Sequence, residues 1–203
     1  MSEDLVFYTN PRSRGRIVRW MLEEVGQPYR TEIIDYAEIK SPAYLAVNPM
    51  GKVPSLKHGE TVVTECAAIC AYLADAFPAA RLAPPLDDHR RATYYRWLFF
   101  AAGPIEQAVT NRALGFEAPK EREMMVGYGA YSTLLEVMEK AVSAGEYLLG
   151  DQFTAADVYF GSQVGWGMRF GGVERRGVFE TYWDRLSRRP AYVRANEIDG
   201  PMA

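Results

Sequence analysis

Apolar positions in the first third of the chain alternate between the period of a strand and that of a helix. Leu5-Val6-Phe7-Tyr8 is a short continuous apolar run ended by Asn10-Pro11. Ile17, Val18, Met21, Leu22 and Val25 then recur at helical spacing until Gly26 and Pro28 stop them. Tyr29 to Ile34 alternates as a second strand, and Ser41 to Val47 reads as a short helix with Pro42 in its first turn. Val53-Pro54-Ser55-Leu56 opens a third strand. His58-Gly59-Glu60 is a tight connection to a fourth, Thr61 to Thr64, and Glu65 to Phe77 is a helix with Ile69, Leu73 and Ala76 on one side.

Residues 78–88, Pro-Ala-Ala-Arg-Leu-Ala-Pro-Pro-Leu-Asp-Asp, carry three prolines and no periodicity, the composition of a linker. Beyond it every pattern is helical: about 89–114, 119–144, 154–170 and 177–188, with a last short helix near 190–196. The expected organisation is an α/β domain over 1–77, a linker over 78–88 and an all-α domain over 89–203. No repeat interrupts it.

Composition narrows the partners. The chain has 203 residues, 48% apolar and 24% charged, enough for a self-sufficient core. A net charge of -3 argues against nucleic acid, which demands a basic excess or face. The longest apolar run, Leu98 to Ile105, contains Gly and Pro and falls far below the ~20 residues of a membrane span. Met-Ser-Glu-Asp at the start offers neither a basic nor a long apolar signal segment, so a cytoplasmic location is expected. The two cysteines, Cys66 and Cys70, lie four apart in a helical pattern and do not make a disulfide framework. His58 and His89 share no ligand cluster, so no metal is expected. Gly161 to Gly172 lacks the G-K-[ST] of a phosphate loop, and reads as tight helix packing or as a flexible pocket wall.

Three stretches carry candidate chemistry. Pro54 opens a strand, where its missing N–H is tolerated. A cis Val53–Pro54 bond, which costs only ~0.5–1 kcal/mol, would turn the Val53 N–H and carbonyl outward to pair with an extended peptide; the plain alternative is an edge-strand proline. At Thr64-Glu65-Cys66 a strand meets a helix. The helix N-terminus can bind a carboxylate and Glu65 an ammonium, so a zwitterionic amino-acid end satisfies both. Otherwise Thr64 is an N-cap and Glu65 a first-turn acid. The third stretch, Phe7 to Trp20, holds Tyr8, Asn10, Ser13 and three arginines at alternate positions, Arg12, Arg14 and Arg16.

The ordered combination N-P-x-G-K-V-P-x-L at 48–56, E-C-x-A-I-x-x-Y-L at 65–73, a proline-bearing linker and a helical domain resembles the cytosolic glutathione transferase family over nearly the whole chain. Gly150-Asp151-Gln152-Phe153-Thr154-Ala155-Ala156-Asp157 resembles the capping box and hydrophobic staple of that family's buried central helix. The resemblance implies a thioredoxin-like domain, glutathione as co-substrate with no metal, a small hydrophobic electrophile, and a homodimer. It further implies that Val53 pairs with the cysteine of glutathione, that Pro54 is the cis proline, and that Glu65 contacts the γ-glutamyl end. Lys52 lies where a side chain often meets the glycyl carboxylate; one of the three arginines, Arg12 first, could hold that carboxylate or an acidic second substrate. Arg12, Arg14 and Arg16 are otherwise solvated charges. Cys66 stands where most relatives have serine, and a thiol is a poorer donor. Face residues of the aromatic-rich helix Tyr94 to Phe100 would line the second-substrate pocket.

In this family the opening stretch holds the group that activates the thiol. A free thiol has a pKa near 8.5, and a hydroxyl hydrogen bond beside a helix start can lower it by ~2 units, about 2.7 kcal/mol. Two hydroxyls fit: Ser13 resembles the serine of serine-type members, and Tyr8, by its distance from Arg19-Trp20, resembles the tyrosine of tyrosine-type members. Ser13 is preferred because its oxygen would lie beside the helix N-terminus. The alternatives are a glutathione-fold scaffold without efficient transfer, or a glutathione-dependent reductase or peroxidase, for which the chain has no C-x-x-C pair.

Overall fold

In the computed structural model, which describes residues 5–201, the first apolar run is β1 (Leu5–Thr9) and the helical-period segment is α1 (Gly15–Val25). Gly26, at φ 70°, ends α1 in the left-handed conformation that favours glycine, its N–H closing on the Leu22 carbonyl at 3.0 Å. Next come β2 (Tyr29–Ile33), α2 (Pro42–Leu45), β3 (Ser55–His58), β4 (Thr61–Thr64) and α3 (Cys66–Ala76). The sheet order is β2-β1-β3-β4, with β1 parallel to β2 and antiparallel to β3. This is a thioredoxin-like sheet.

Alternation along β1 sorts its side chains between the two faces. Phe7 lies beneath the Arg19 guanidinium of α1, 4.9 Å from its ring centroid, whereas Tyr8 faces the Tyr44 ring of α2 at 6.1 Å. Phe7, Ile17, Met21, Leu22, Leu56, Ile69 and Leu73 are fully buried. Their burial supplies most of the drive for this unit, at about 1.5–3 kcal/mol per large apolar side chain.

The second half is helical: α4 (Arg90–Phe100), α5 (Glu106–Ala113), α6 (Tyr131–Ser143), α7 (Ala155–Phe170), α8 (Gly177–Ser187) and α9 (Pro190–Asp199). A π-helical turn over Ala101–Ile105 joins α4 to α5. Pro104 lies inside it, where a residue without an N–H removes a ladder bond. The helix expected over 119–144 is divided instead. A 3₁₀ turn spans Lys120–Met125, and the chain passes Gly127 and Gly129, the latter at φ 62°, before α6 begins. Gly161 and Gly165 serve close packing. A Cβ would fall 2.3 Å from Leu186 Cδ1 at the first and 2.5 Å from the Trp183 ring at the second.

The chain divides into two compact units, one gathering residues up to Leu82 with those from Arg189 onward, the other spanning Ala83–Arg188. The last helix therefore departs from the expected domain of 89–203. Apolar spacing in α9 shows a buried stripe without saying which core receives it. Ion pairs select α1: Arg189 grips the Glu24 carboxylate at 2.6 and 2.8 Å, Arg194 reaches Glu23 at 2.6 Å, and Arg19 reaches Asp199 at 3.1 Å. Tyr192 stacks edge-on against Trp20 at 5.0 Å.

No helix among the described residues is long and apolar enough to cross a membrane.

Candidate active site

The first unit brings the three candidate stretches together. Tyr8 is in register with Ser55, and Ser55 with Thr64, so the end of β1, the Val53–Ser55 segment and the β4–α3 corner are neighbours. The Cys66 thiol then reaches the Arg14 carbonyl at 3.5 Å, linking the start of α3 to the start of α1.

Ser13 closes a tight turn. Its N–H donates to the Asn10 carbonyl at 3.0 Å and its hydroxyl donates to the same oxygen at 2.6 Å, while Oγ accepts the Gly15 N–H at 2.9 Å. Asn10 is a brace: its amide donates to the Ile34 carbonyl at 3.0 Å and its Oδ1 accepts the Arg12 N–H at 3.0 Å. Tyr8, half-buried, makes no hydrogen bond through its hydroxyl among the described residues. Of the two hydroxyl candidates, Ser13 is thus engaged and Tyr8 unengaged.

The three arginines separate. Arg12 is exposed, and its guanidinium has no hydrogen bond or ion pair among the described residues. Arg14 is exposed. Arg16 departs from both readings of it, as solvated charge and as ligand contact, because the first full turn of α1 carries it inward. It is buried and donates to the Pro11 carbonyl at 3.1 Å, to Asn196 Oδ1 at 3.0 Å and to the Gly200 carbonyl at 2.7 Å.

The Val53–Pro54 peptide bond is cis. Val53 is half-buried, and neither its N–H nor its carbonyl is hydrogen-bonded among the described residues. Buttresses hold the preceding residue: the Lys52 carbonyl accepts from Tyr44 Oη at 2.7 Å and from Asn48 Nδ2 at 2.7 Å, while the Lys52 side chain is exposed. Burial raises the Tyr44 pKa above its ordinary 10.0, against a hydrogen bond with Ser55 that lowers it. The phenol therefore stays a donor to Lys52. Gly51 sits at φ 57°, where a Cβ would fall 2.7 Å from the Ile39 carbonyl oxygen, so glycine is required on both grounds. Tyr44 had no signal in the sequence beyond its place in a short helix.

At the β4–α3 corner, Glu65 rather than Thr64 is the N-cap, and it offers no side-chain cap. Its backbone adopts φ 68°, ψ 123°, a conformation costing a non-glycine residue about 1–3 kcal/mol. The carboxylate is exposed and unpaired among the described residues. Cys66 is 7% exposed. Cys70, one turn on, is fully buried, and desolvation pushes its thiol up to about 12, so it is inert as a nucleophile. His58 shares a 2.8 Å hydrogen bond with Tyr72 and stacks on Phe77. Among the described residues no group of three or more His, Cys, Asp or Glu side chains is placed to hold a metal.

Gly15 is where this corner is tightest: a Cβ there would lie 1.9 Å from Thr9 Oγ1. Gly15→Ala is expected to destabilise the chain by about 1–3 kcal/mol. Thr9→Ala, by removing that oxygen, should restore at least half of the loss. Thermal unfolding of both single variants and the double variant checks the pair; strictly additive changes would mean that the two residues do not touch.

One chain thus joins a thioredoxin-like unit, with an unpaired Val53 backbone beside the cis proline, to a helical unit. A family description of the glutathione S-transferase N-terminal domain matches residues 7–81. A glutathione S-transferase of Xanthomonas campestris pv. campestris is 28% identical over 186 residues, covering 88% of this chain and 91% of that one. One from Escherichia coli O157:H7 is 28% identical over 162 residues, covering 77% and 78%. Among solved structures, a glutathione transferase of Methylococcus capsulatus matches with a TM-score of 0.81 at 28% identity, over 97% of this chain and 98% of the other. A sphingomonad glutathione S-transferase complexed with glutathione gives 0.77 at 27% identity, over 96% and 98%. The first unit thus matches a glutathione S-transferase N-terminal domain, and over most of its length the chain is similar to glutathione S-transferases.

Proposed function

We propose that this chain is a glutathione S-transferase that activates the thiol of its co-substrate at the Ser13 hydroxyl, for attack on a small hydrophobic electrophile. The observation that carries the reading is the double donation to the Asn10 carbonyl, from the Ser13 N–H at 3.0 Å and the Ser13 hydroxyl at 2.6 Å. When the hydroxyl turns toward a bound sulfur, that carbonyl keeps the N–H, so the exchange costs about 1 kcal/mol, the net worth of one hydrogen bond. The thiolate gains the hydroxyl and the positive end of α1. Gly15, donating to Oγ at 2.9 Å, makes the hydroxyl a stronger donor.

Glutathione would lie extended along the unpaired Val53 backbone beside Pro54. Glu65 would take the γ-glutamyl ammonium and the first N–H groups of α3, beginning at Cys66, its carboxylate. Arg12, or Lys52, would meet the glycyl carboxylate. In the reaction the thiol proton passes to water, the sulfur forms a bond to the electrophilic carbon, and the leaving group departs with its electron pair. Tyr8 is the second candidate for the hydroxyl, favoured by its unengaged oxygen near the end of β1. We take the working unit to be a cytoplasmic homodimer, and detoxification to be its use, on the family resemblance.

Equilibrium binding of glutathione, followed by turnover of an aryl halide, tests the reading. Saturable binding with turnover is the expected result. Binding without turnover would favour the scaffold alternative, and no binding would overturn the proposal.

A further inference from the structure

Thr9 ends β1 fully buried, its carbonyl accepting the Ile34 N–H at 2.8 Å, yet its Oγ1 has no hydrogen-bond partner among the described residues. A buried hydroxyl without a partner costs stability that a valine of the same shape would not. The surroundings of that oxygen bear on what it does. It faces Gly15, the first residue of α1, so closely that a Cβ there would lie 1.9 Å from Thr9 Oγ1 and 3.0 Å from Ser13 Oγ. Only the missing side chain of Gly15 leaves the two hydroxyls facing a common space.

We infer that Thr9 is a positioning residue for Ser13, whose hydroxyl it supports when that hydroxyl turns to the glutathione sulfur; the inference rests on the Ser13 reading given above. In the ligand-free chain the Ser13 oxygen accepts one hydrogen bond, from Gly15, and donates its proton to Asn10. Once the proton points to sulfur, a hydroxyl oxygen still has a second lone pair to fill. Thr9 Oγ1 carries a proton committed to nothing. A small closing of the turn over residues 10–14 lets Thr9 donate to Ser13 Oγ while Ser13 donates to the thiolate. Hydrogen bonds in such a chain polarise one another, so the outer donor is strengthened by the inner one. Thr9 touches no reacting atom. The other charged or thiol-bearing groups at this turn, Arg12, Arg14 and Cys66, are left as they are by a change at Thr9.

The test is the pKa of the bound glutathione thiol, read by ultraviolet difference titration in wild type, Thr9→Val, Thr9→Ser, Ser13→Ala and Thr9→Val/Ser13→Ala. Thr9→Val is expected to raise that pKa by roughly half a unit, about a threefold loss of thiolate at a pH below both values, with glutathione affinity unchanged and thermal stability equal or higher. Thr9→Ser should retain the wild-type value, and Thr9→Val should add nothing in the Ser13→Ala background. A Thr9→Val protein that is more stable but keeps the wild-type thiol pKa, while Ser13→Ala raises it, overturns the role of Thr9 alone. If Ser13→Ala leaves the thiol unshifted, the Ser13 reading fails and the inference about Thr9 fails with it.

Discussion

Ser13→Ala is expected to lower turnover of an aryl halide roughly 25-fold at pH 7, and the deficit is expected to shrink toward pH 9. The magnitude follows from the thiol. If the hydroxyl holds the bound thiol ~2 units below 8.5, about three-quarters of it is thiolate at pH 7 in the wild type and only a few per cent in the variant. Above the free value both proteins carry thiolate and the difference closes. Glutathione affinity should fall only about fourfold at pH 7, the linked consequence of the thiol shift, because Val53, Glu65 and the start of α3 are untouched. The variant also leaves the Gly15 N–H without its acceptor, a lost hydrogen bond worth about 0.5–1.5 kcal/mol, so thermal stability should fall by a few degrees. Tyr8→Phe in the same assay should leave the pH profile unchanged. A profile that moves in Tyr8→Phe and not in Ser13→Ala would transfer the role to Tyr8.

The second large effect is on folding. Asp157→Ala should destabilise the helical unit by about 3–5 kcal/mol, with a fall in Tm of about 10 °C by calorimetry. Asp157 is wholly buried at the start of α7 and accepts four hydrogen bonds: the Leu148 N–H at 2.9 Å, the Thr154 N–H at 2.9 Å, the Thr154 hydroxyl at 3.2 Å and Tyr182 Oη at 2.9 Å. Alanine strands all four donors at once. Thr154 completes the capping box from its side, with Oγ1 accepting the Ala156 N–H at 3.3 Å.

Desolvation outweighs those hydrogen bonds and leaves the Asp157 carboxyl at about 6, above its ordinary 3.8. The native chain then binds the proton before the unfolded chain does. This group therefore adds stability as pH falls from about 6 toward 4, the reverse of a salt-bridged carboxylate. Asp157→Asn removes that contribution, so its stability relative to wild type should worsen across the same interval. A difference independent of pH would contradict the raised value.

The strand-helix alternation of the first unit was legible because its punctuation is local. Asn10-Pro11, Gly26 with Pro28, and the N-P-x-G-K-V-P run each act within a few residues. The capping box at 154–157 was legible for the same reason. Where sequence reading failed, the deciding physics was long-range. Met124 and Met125 continue a helical apolar pattern yet are 99% and 79% exposed, so no burial holds a helix there. The attachment of α9 depends on Arg189 meeting Glu24 across 165 residues.

In the site, the residue types were readable and their states were not. Arg16 looked like its neighbours Arg12 and Arg14 until α1 turned it inward. The positive φ of Glu65 has no mark in a sequence where neither glycine nor asparagine stands. Thr9 is silent in the sequence because a buried hydroxyl without a partner is defined by what surrounds it.

The central claim is that Ser13 holds the glutathione thiol as thiolate, and an ultraviolet difference titration of bound glutathione in wild type, Ser13→Ala and Tyr8→Phe tests it most directly. The account predicts a bound thiol pKa near 6.5 in wild type and Tyr8→Phe, returning to about 8.5 in Ser13→Ala. A wild-type thiol that titrates at its free value, or a shift that survives in Ser13→Ala, would contradict it.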